Sequence, residues 1–279
     1  MPEGVPPLAI GAVTMGVGGV VLFLTFLRRS LVVLRDRATL PWLLIGAVGV
    51  VVYPLAFYPS MALAGVAIGN VVSLGSGPVF AALLEWIVDR RRPGVAWMLA
   101  TIGAVVGIVL LALGGHADST HQPVAVLPGI ALGLLAGVAY AAYTFASGRT
   151  IQAGHASTGV MGSMFGLGAV VLIPVLLITG GEILATPEGI GISAYLVVGP
   201  MVLAYILFGF GMRTLTASTV TVITLIEPAV ATALAVVVVG ERLEPLAWFG
   251  LVLIVAAVVV VAIAAIRKHP GAPALPRLD

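Results

Sequence analysis

Nine apolar runs of 18 to 27 residues recur along this 279-residue chain, and each is long enough to cross a membrane. At 1.5 Å of rise per residue, about 20 helical residues span a hydrocarbon core of roughly 30 Å. Hydrophobic residues make up 61% of the chain and charged residues 9%, where soluble domains carry about 25% charge. Lipid offers no hydrogen bonds to a bare backbone, so a spanning chain must be helical or a closed barrel. Barrel strands alternate apolar and polar residues, and runs such as Val236 to Val239 and Val258 to Val261 do not. The predicted class is therefore an all-α membrane protein, a bundle of nine transmembrane helices.

The predicted spans are 7–27, 40–57, 62–88, 95–113, 127–147, 158–180, 190–212, 217–239 and 246–266. The second and third are divided at Tyr58, Pro59 and Ser60. Fusing them would put Arg90 to Arg92 on the wrong side. With nine spans, alternate connections gather Arg28, Arg29, Arg35, Arg37, Arg90, Arg91, Arg92, Arg149, Arg213, Arg267, Lys268 and Arg277 on one side and leave Arg242 alone on the other. Basic residues mark the cytoplasmic side, so the N-terminus is expected outside and the C-terminus inside. The pI of about 9.2 is then a topology signal, and no nucleic-acid partner is expected. The first residues lack the basic start of a signal peptide.

Two stretches resemble one another. Pro78 precedes Asp89 to Arg92, Pro93 and Trp97; Pro228 precedes Gly240 to Glu244, Pro245 and Trp248. The two copies run in opposite directions across the membrane, as in inverted-repeat transporters. The organisation expected is a first repeat over 1–114, an extracytoplasmic linker over 115–126, a second repeat over 127–267 and a disordered cytoplasmic tail over 268–279. The first repeat then has four helices and the second five. A leading helix is expected to be missing from the sequence, against the alternative that nine spans are native.

Charge at membrane depth is costly, so an intramembrane acid is a functional candidate. Glu227 is near mid-span, followed by Pro228, whose missing N–H leaves the Thr224 carbonyl without its usual helical partner. Such a carboxylate can take a proton, a cation or a substrate ammonium, or it can be a neutral, hydrogen-bonded packing group. Glu85 is near the arginine-rich end of its span and can reach the interface or the arginine cluster; a coupling role is the second alternative there. Asn70 and Ser73, in the weak stretch Gly69 to Pro78, are read as substrate contacts or close-packing residues. Tyr140, Tyr143, Thr144 and Tyr205 are candidates by their depth, whereas Tyr58 is assigned to an interface and Trp42, Trp97 and Trp248 to anchors. Gly129, Gly133 and Gly137, with Gly103 and Gly107, are helix-contact signals.

Catalytic constellations are not visible. The histidines fall in loops or the tail, there is no cysteine, no metal-ligand spacing and no phosphate loop, so neither metal nor cofactor is expected.

The stretch GVAIGNVVSLGSGPVFAALLEW, residues 65–86, and its partner TVTVITLIEPAVATALAVVVVGERL, residues 219–243, resemble the EamA-type branch of the drug/metabolite transporter superfamily. The resemblance covers nearly the whole chain, starting at the family's second helix. It implies ten helices in two inverted five-helix repeats, alternating access without a cofactor, and metabolite substrates such as amino acids, amines or nucleosides. Related sequences often carry arginine where this one has Thr14, which leaves Glu85 and Glu227 without that charge partner. The expected function is secondary transport, with export as the direction, across a bacterial inner membrane. A small-molecule substrate and the bilayer are the expected partners, and a homodimer is left open. The competing class is a non-transporting membrane protein, an assembly partner or degenerate paralogue; an intramembrane enzyme is disfavoured.

Overall fold

A computed structural model describes residues 4–114, 125–234, 236–237 and 244–268. Among these the secondary structure is helical throughout. The helices are α1 (Pro7–Thr25), α2 (Leu27–Arg35), α3 (Leu40–Ala64), α4 (Val66–Asp89), α5 (Val95–Gly114), α6 (Val126–Gln152), α7 (Ser157–Thr179), α8 (Pro187–Gly211), α9 (Ala217–Ile223), α10 (Ile226–Leu234) and α11 (Pro245–Lys268). Eight stretches are long and apolar enough to span a membrane, α9 and α10 together forming one, and the shorter apolar run Val95–Leu111 of α5 makes a ninth. The protein is thus a helical membrane bundle as expected. The linker and tail read from the sequence lie almost wholly outside the described residues.

The division between the second and third spans differs from the expectation. Helix α3 runs through Tyr58, Pro59 and Ser60, and the chain turns at Gly65, with φ of +91°. A proline inside a spanning helix removes one backbone donor but need not end the helix, since neighbouring groups can satisfy the freed carbonyl. Gly65 supplies a backbone angle that an L-residue adopts poorly; no other atom lies within 4 Å of where its Cβ would be.

Glycines let α6 into the centre. A Cβ at Gly129 would sit 2.7 Å from the Ala64 backbone nitrogen, and one at Gly133 2.9 Å from Ser60 Oγ, so α6 lies directly on α3. Ser60 closes this contact by donating to the Gly129 carbonyl at 2.7 Å. On the other side of the bundle, Gly107 and Gly250 bring α5 and α11 together, each Cβ meeting the other's carbonyl oxygen. Gly103 was grouped with Gly107 on spacing, but nothing lies within 4 Å of its Cβ position; it faces away from that contact.

The main core surrounds Tyr140, Tyr143, Phe165, Met161 and Met164, where α3, α6, α7 and α8 converge. A second cluster joins α5 and α11 to α9 and α10 through Ile108, Leu225 and Ile254. Outward faces are equally apolar, with Leu177 73%, Ile178 84% and Leu127 80% exposed. Apolar surface of that kind on spanning helices suits contact with lipid. Helix α1 contains a π-helical stretch, Ala12–Val17, and α8 another, Val197–Leu203, around Pro200.

Candidate substrate-binding site

The end of the bundle bearing the arginines is tied across the two halves. Glu85 on α4 accepts the backbone N–H of Ser218 at 2.8 Å and its hydroxyl at 2.7 Å, so this carboxylate caps the first turn of α9. Unpaired N–H groups at a helix start favour an anion there. The Trp97 indole N–H donates to the Ser218 carbonyl at 3.2 Å. Asp89 pairs with Arg149 of α6, whose guanidinium lies 5.0 Å over the Trp42 ring, and Trp42 meets Phe145 edge-on. Glu85 thus reaches Ser218 rather than the neighbouring arginines, and Trp42 and Trp97 make tertiary contacts instead of standing as bare anchors. In the loops, Asp36 bonds to His155 at 2.7 Å and to the Thr39 hydroxyl at 2.9 Å. The His155 contact, then the Ala38 N–H and the Thr39 hydroxyl, hold the Asp36 carboxyl below its ordinary value of 3.8.

Midway along the bundle, α9 ends and α10 begins around Thr224 and Leu225. The sequence reading expected a free Thr224 carbonyl; instead it accepts the Glu227 N–H at 3.0 Å, a tighter i to i+3 bond that closes the break. Tyr140 Oη lies 2.6 Å from Thr224 Oγ1, and the Thr224 hydroxyl donates to the Thr221 carbonyl at 3.0 Å. A hydroxyl has one proton, so Tyr140 is the donor of the pair. Tyr143 and Tyr205 share a hydroxyl contact of 2.7 Å.

Around these hydroxyls the rings form a continuous aromatic wall. Tyr53 sits 5.7 Å from Tyr140 and 5.9 Å from Tyr143 by ring centroids, stacks on Phe57 at 5.3 Å, and Tyr205 packs on Phe165 at 4.4 Å. Glu227, in the first turn of α10, is exposed and makes no hydrogen bond or ion pair to another side chain among the described residues. It shares an electrostatic neighbourhood with Tyr53, Tyr58, Tyr140 and Tyr205. The hydroxyl of Thr14 is used locally on the Ile10 carbonyl at 2.8 Å.

In the half of the bundle remote from the arginines, a cavity of about 210 Å³ separates α4 and α5 from α10, lined by Asn70, Leu74, Leu111, Pro228 and Thr232 among others. Of the sequence candidates, Tyr140 bonds to Thr224 and packs through Tyr143 to Tyr205, Glu227 bonds by its N–H to the Thr224 carbonyl, and Asn70 faces this cavity. Ser73 and Thr144 are fully buried, each with an unpartnered hydroxyl, and Glu85 stands apart at the arginine-rich end. Tyr53 was missed and Tyr58 assigned to an interface. Their depth within a longer helix was the available signal, hidden by placing the turn too early.

Comparison with known proteins bears on this arrangement. The model of the EamA-like transporter family matches residues 1–113 and 127–263. An uncharacterized transporter, YwfM, of Bacillus subtilis (strain 168) is 33% identical over 276 residues, covering 98% of this chain and 90% of that protein. An uncharacterized transporter of Clostridium kluyveri is 26% identical over 182 residues, 61% of this chain and 55% of its own length. A crystal structure superposes with a TM-score of 0.77 at 22% identity, over 96% of this chain and 91% of that one, which shows the shared fold. Matched by the family model over both halves, the protein belongs to the EamA-like transporter family.

Proposed function

We propose that this chain is a secondary carrier of small organic metabolites, amino acids, amines or related compounds, moving them by alternating access through a site at mid-membrane. The observation that carries this reading is Glu227, an exposed carboxylate just after a helix break at Thr224, whose hydroxyl is bonded to Tyr140 of the aromatic wall. Discontinuous spanning helices with their breaks at the midplane are the usual substrate sites of secondary transporters. Tyr140, Tyr205, Thr224 and Asn70 belong to the same site or to its approach. The mechanism needs no cofactor: the helices exchange between two arrangements that open the site to opposite sides, and a solute gradient drives the net flux.

The Glu85–Ser218 and Asp89–Arg149 contacts supply the closed end of such a cycle, and the cavity beside Asn70 supplies the open one. By its arginines the closed end faces the cytoplasm of a bacterial cell, with the N-terminus on the opposite side. The test is counterflow in proteoliposomes against a panel of amino acids, amines and nucleosides, with Glu227→Gln in parallel. Saturable exchange of one chemical class that the variant loses is expected. Well-folded protein that exchanges none of the panel overturns the reading.

A further inference from the structure

Glu227 carries a negative charge, when ionised, into a region where water is scarce, and the described side chains give it neither a hydrogen bond nor a counter-charge. Three of the tyrosine hydroxyls near it have protein partners. Tyr140 donates to Thr224, and Tyr143 and Tyr205 hold each other at 2.7 Å. Ring surface lies beside them. Tyr53 and Tyr205 are only half-buried, Tyr58 likewise, and their rings join a cluster in which Tyr53, Tyr140, Tyr143 and Tyr205 follow one another at centroid separations of 5.7, 5.3 and 6.2 Å. A carboxylate beside open aromatic faces recognises an ammonium group: the charge meets the carboxylate and the ring quadrupoles, and the apolar body meets the ring carbons.

Among the described residues, the basic side chains of α6 and of the end of α8 lie away from this region. The basic side chain of α6 is Arg149, nine residues beyond Tyr140 and so about 13 Å further along the helix, where Asp89 pairs with it. Arg213 follows the end of α8, eight residues or about 12 Å beyond Tyr205. Thr14 uses its hydroxyl on its own helix. An amino acid bound with its ammonium on Glu227 would hold its own carboxylate beside the same carboxylate and rings, where Glu227 repels it and neither Arg149 nor Arg213 offsets the repulsion.

Building on the carrier reading above, we propose that the mid-membrane site selects organic monocations, amines with an apolar or aryl body, and discriminates against the corresponding amino acids. The matched probes are phenethylamine, its N,N,N-trimethyl derivative and phenylalanine, which differ in methylation of the nitrogen or in the carboxylate alone. Binding is read as the rise in thermal stability of the full chain in nanodiscs, since a ligand of the native state stabilises it. Both amines are expected to raise stability and phenylalanine to leave it unchanged. Glu227→Gln should abolish the amine response. Tyr53→Phe should keep it, while Tyr53→Leu weakens apparent affinity roughly 3- to 30-fold, the range a partly to fully desolvated cation–π contact spans.

The wild-type comparison decides the matter even where a variant folds poorly. A phenylalanine response equal to that of phenethylamine overturns the selectivity, as does an amine response that survives Glu227→Gln. Counterflow of the same probes separates this inference from its foundation. Glu227-dependent exchange of phenylalanine would leave a carrier standing and remove the cation selectivity, and no exchange or binding of any probe removes the inference while the metabolite panel judges the carrier.

Discussion

Glu85 and Ser218 lie 133 residues apart in sequence and are joined by two hydrogen bonds, the Ser218 backbone N–H donating at 2.8 Å and its hydroxyl at 2.7 Å. Both residues are buried, Glu85 at 9% exposure and Ser218 at 5%. The bond pair therefore does more than end a helix. It fixes the start of α9 against the last turns of α4, and with Trp97 on the Ser218 carbonyl it fastens three helices at one point.

Glu85→Ala should destabilise the protein by about 1–3 kcal/mol, because a buried donor loses a charged acceptor and α9 loses its cap. Ser218→Ala removes the hydroxyl bond and keeps the backbone one, so its cost should be smaller. Detergent unfolding curves of the two variants check the order. Equal stability of Glu85→Ala and wild type would mean the cap is energetically idle.

Gly129→Ala should cost about 1–3 kcal/mol, the range of overpacking, because the new methyl would lie 2.5 Å from Ala64 Cβ and 2.7 Å from the Ala64 backbone nitrogen. Neither atom can swing aside, so α3 and α6 must separate. Gly103→Ala meets nothing within 4 Å and should be neutral or slightly stabilising through helix propensity. The same unfolding measurement compares them, and a Gly129→Ala protein as stable as Gly103→Ala would show that the helices yield freely.

The membrane class was legible from hydropathy alone, and the nine spans follow, since length and apolarity are properties of single segments. Rotation of a span about its axis was not. Ser73 reads as a substrate contact or a packing residue and Thr144 as a candidate by its depth, and the structure buries both. An all-apolar helix has lipid-facing and protein-facing sides of the same chemistry, so nothing in α4 or α6 marks which side a hydroxyl takes. The turn was misplaced at Pro59 because proline reads as a helix end in soluble chains, whereas Gly65 with its positive φ is the residue that makes the turn. That error pushed Tyr58 to an interface and kept Tyr53 out of view. Glu85 finds its partner 133 residues away, a pairing no local spacing encodes.

Asp36 predicts a pH response on the arginine-rich face. Its pKa is lower folded than unfolded, chiefly through the hydrogen bond to His155, so it stabilises the fold fully above the ordinary value of 3.8. That stability is lost as pH falls through the lower folded value. Asp36→Asn should therefore be less stable than wild type at pH 6, and the difference should shrink as the pH drops below about 4. Parallel thermal scans across this range check it; a gap that widens in acid would reverse the sign of the linkage.

The chain contains no cysteine, so single cysteines introduced into it report topology without background. Ala38 lies in the loop before α3, beside Asp36 and the arginines, and Ala185 lies in the connection between α7 and α8 at the opposite end. Basic residues are retained on the cytoplasmic side, so in intact cells Ala185→Cys should react with a membrane-impermeant maleimide and Ala38→Cys should react only after permeabilisation. Both positions are outside the aromatic wall and the Glu85 cap, so neither substitution should disturb the fold. The reverse labelling pattern would turn the bundle over. It would then place the tied end, with Glu85 and Asp89, on the external face and the cavity beside Asn70 towards the cytoplasm.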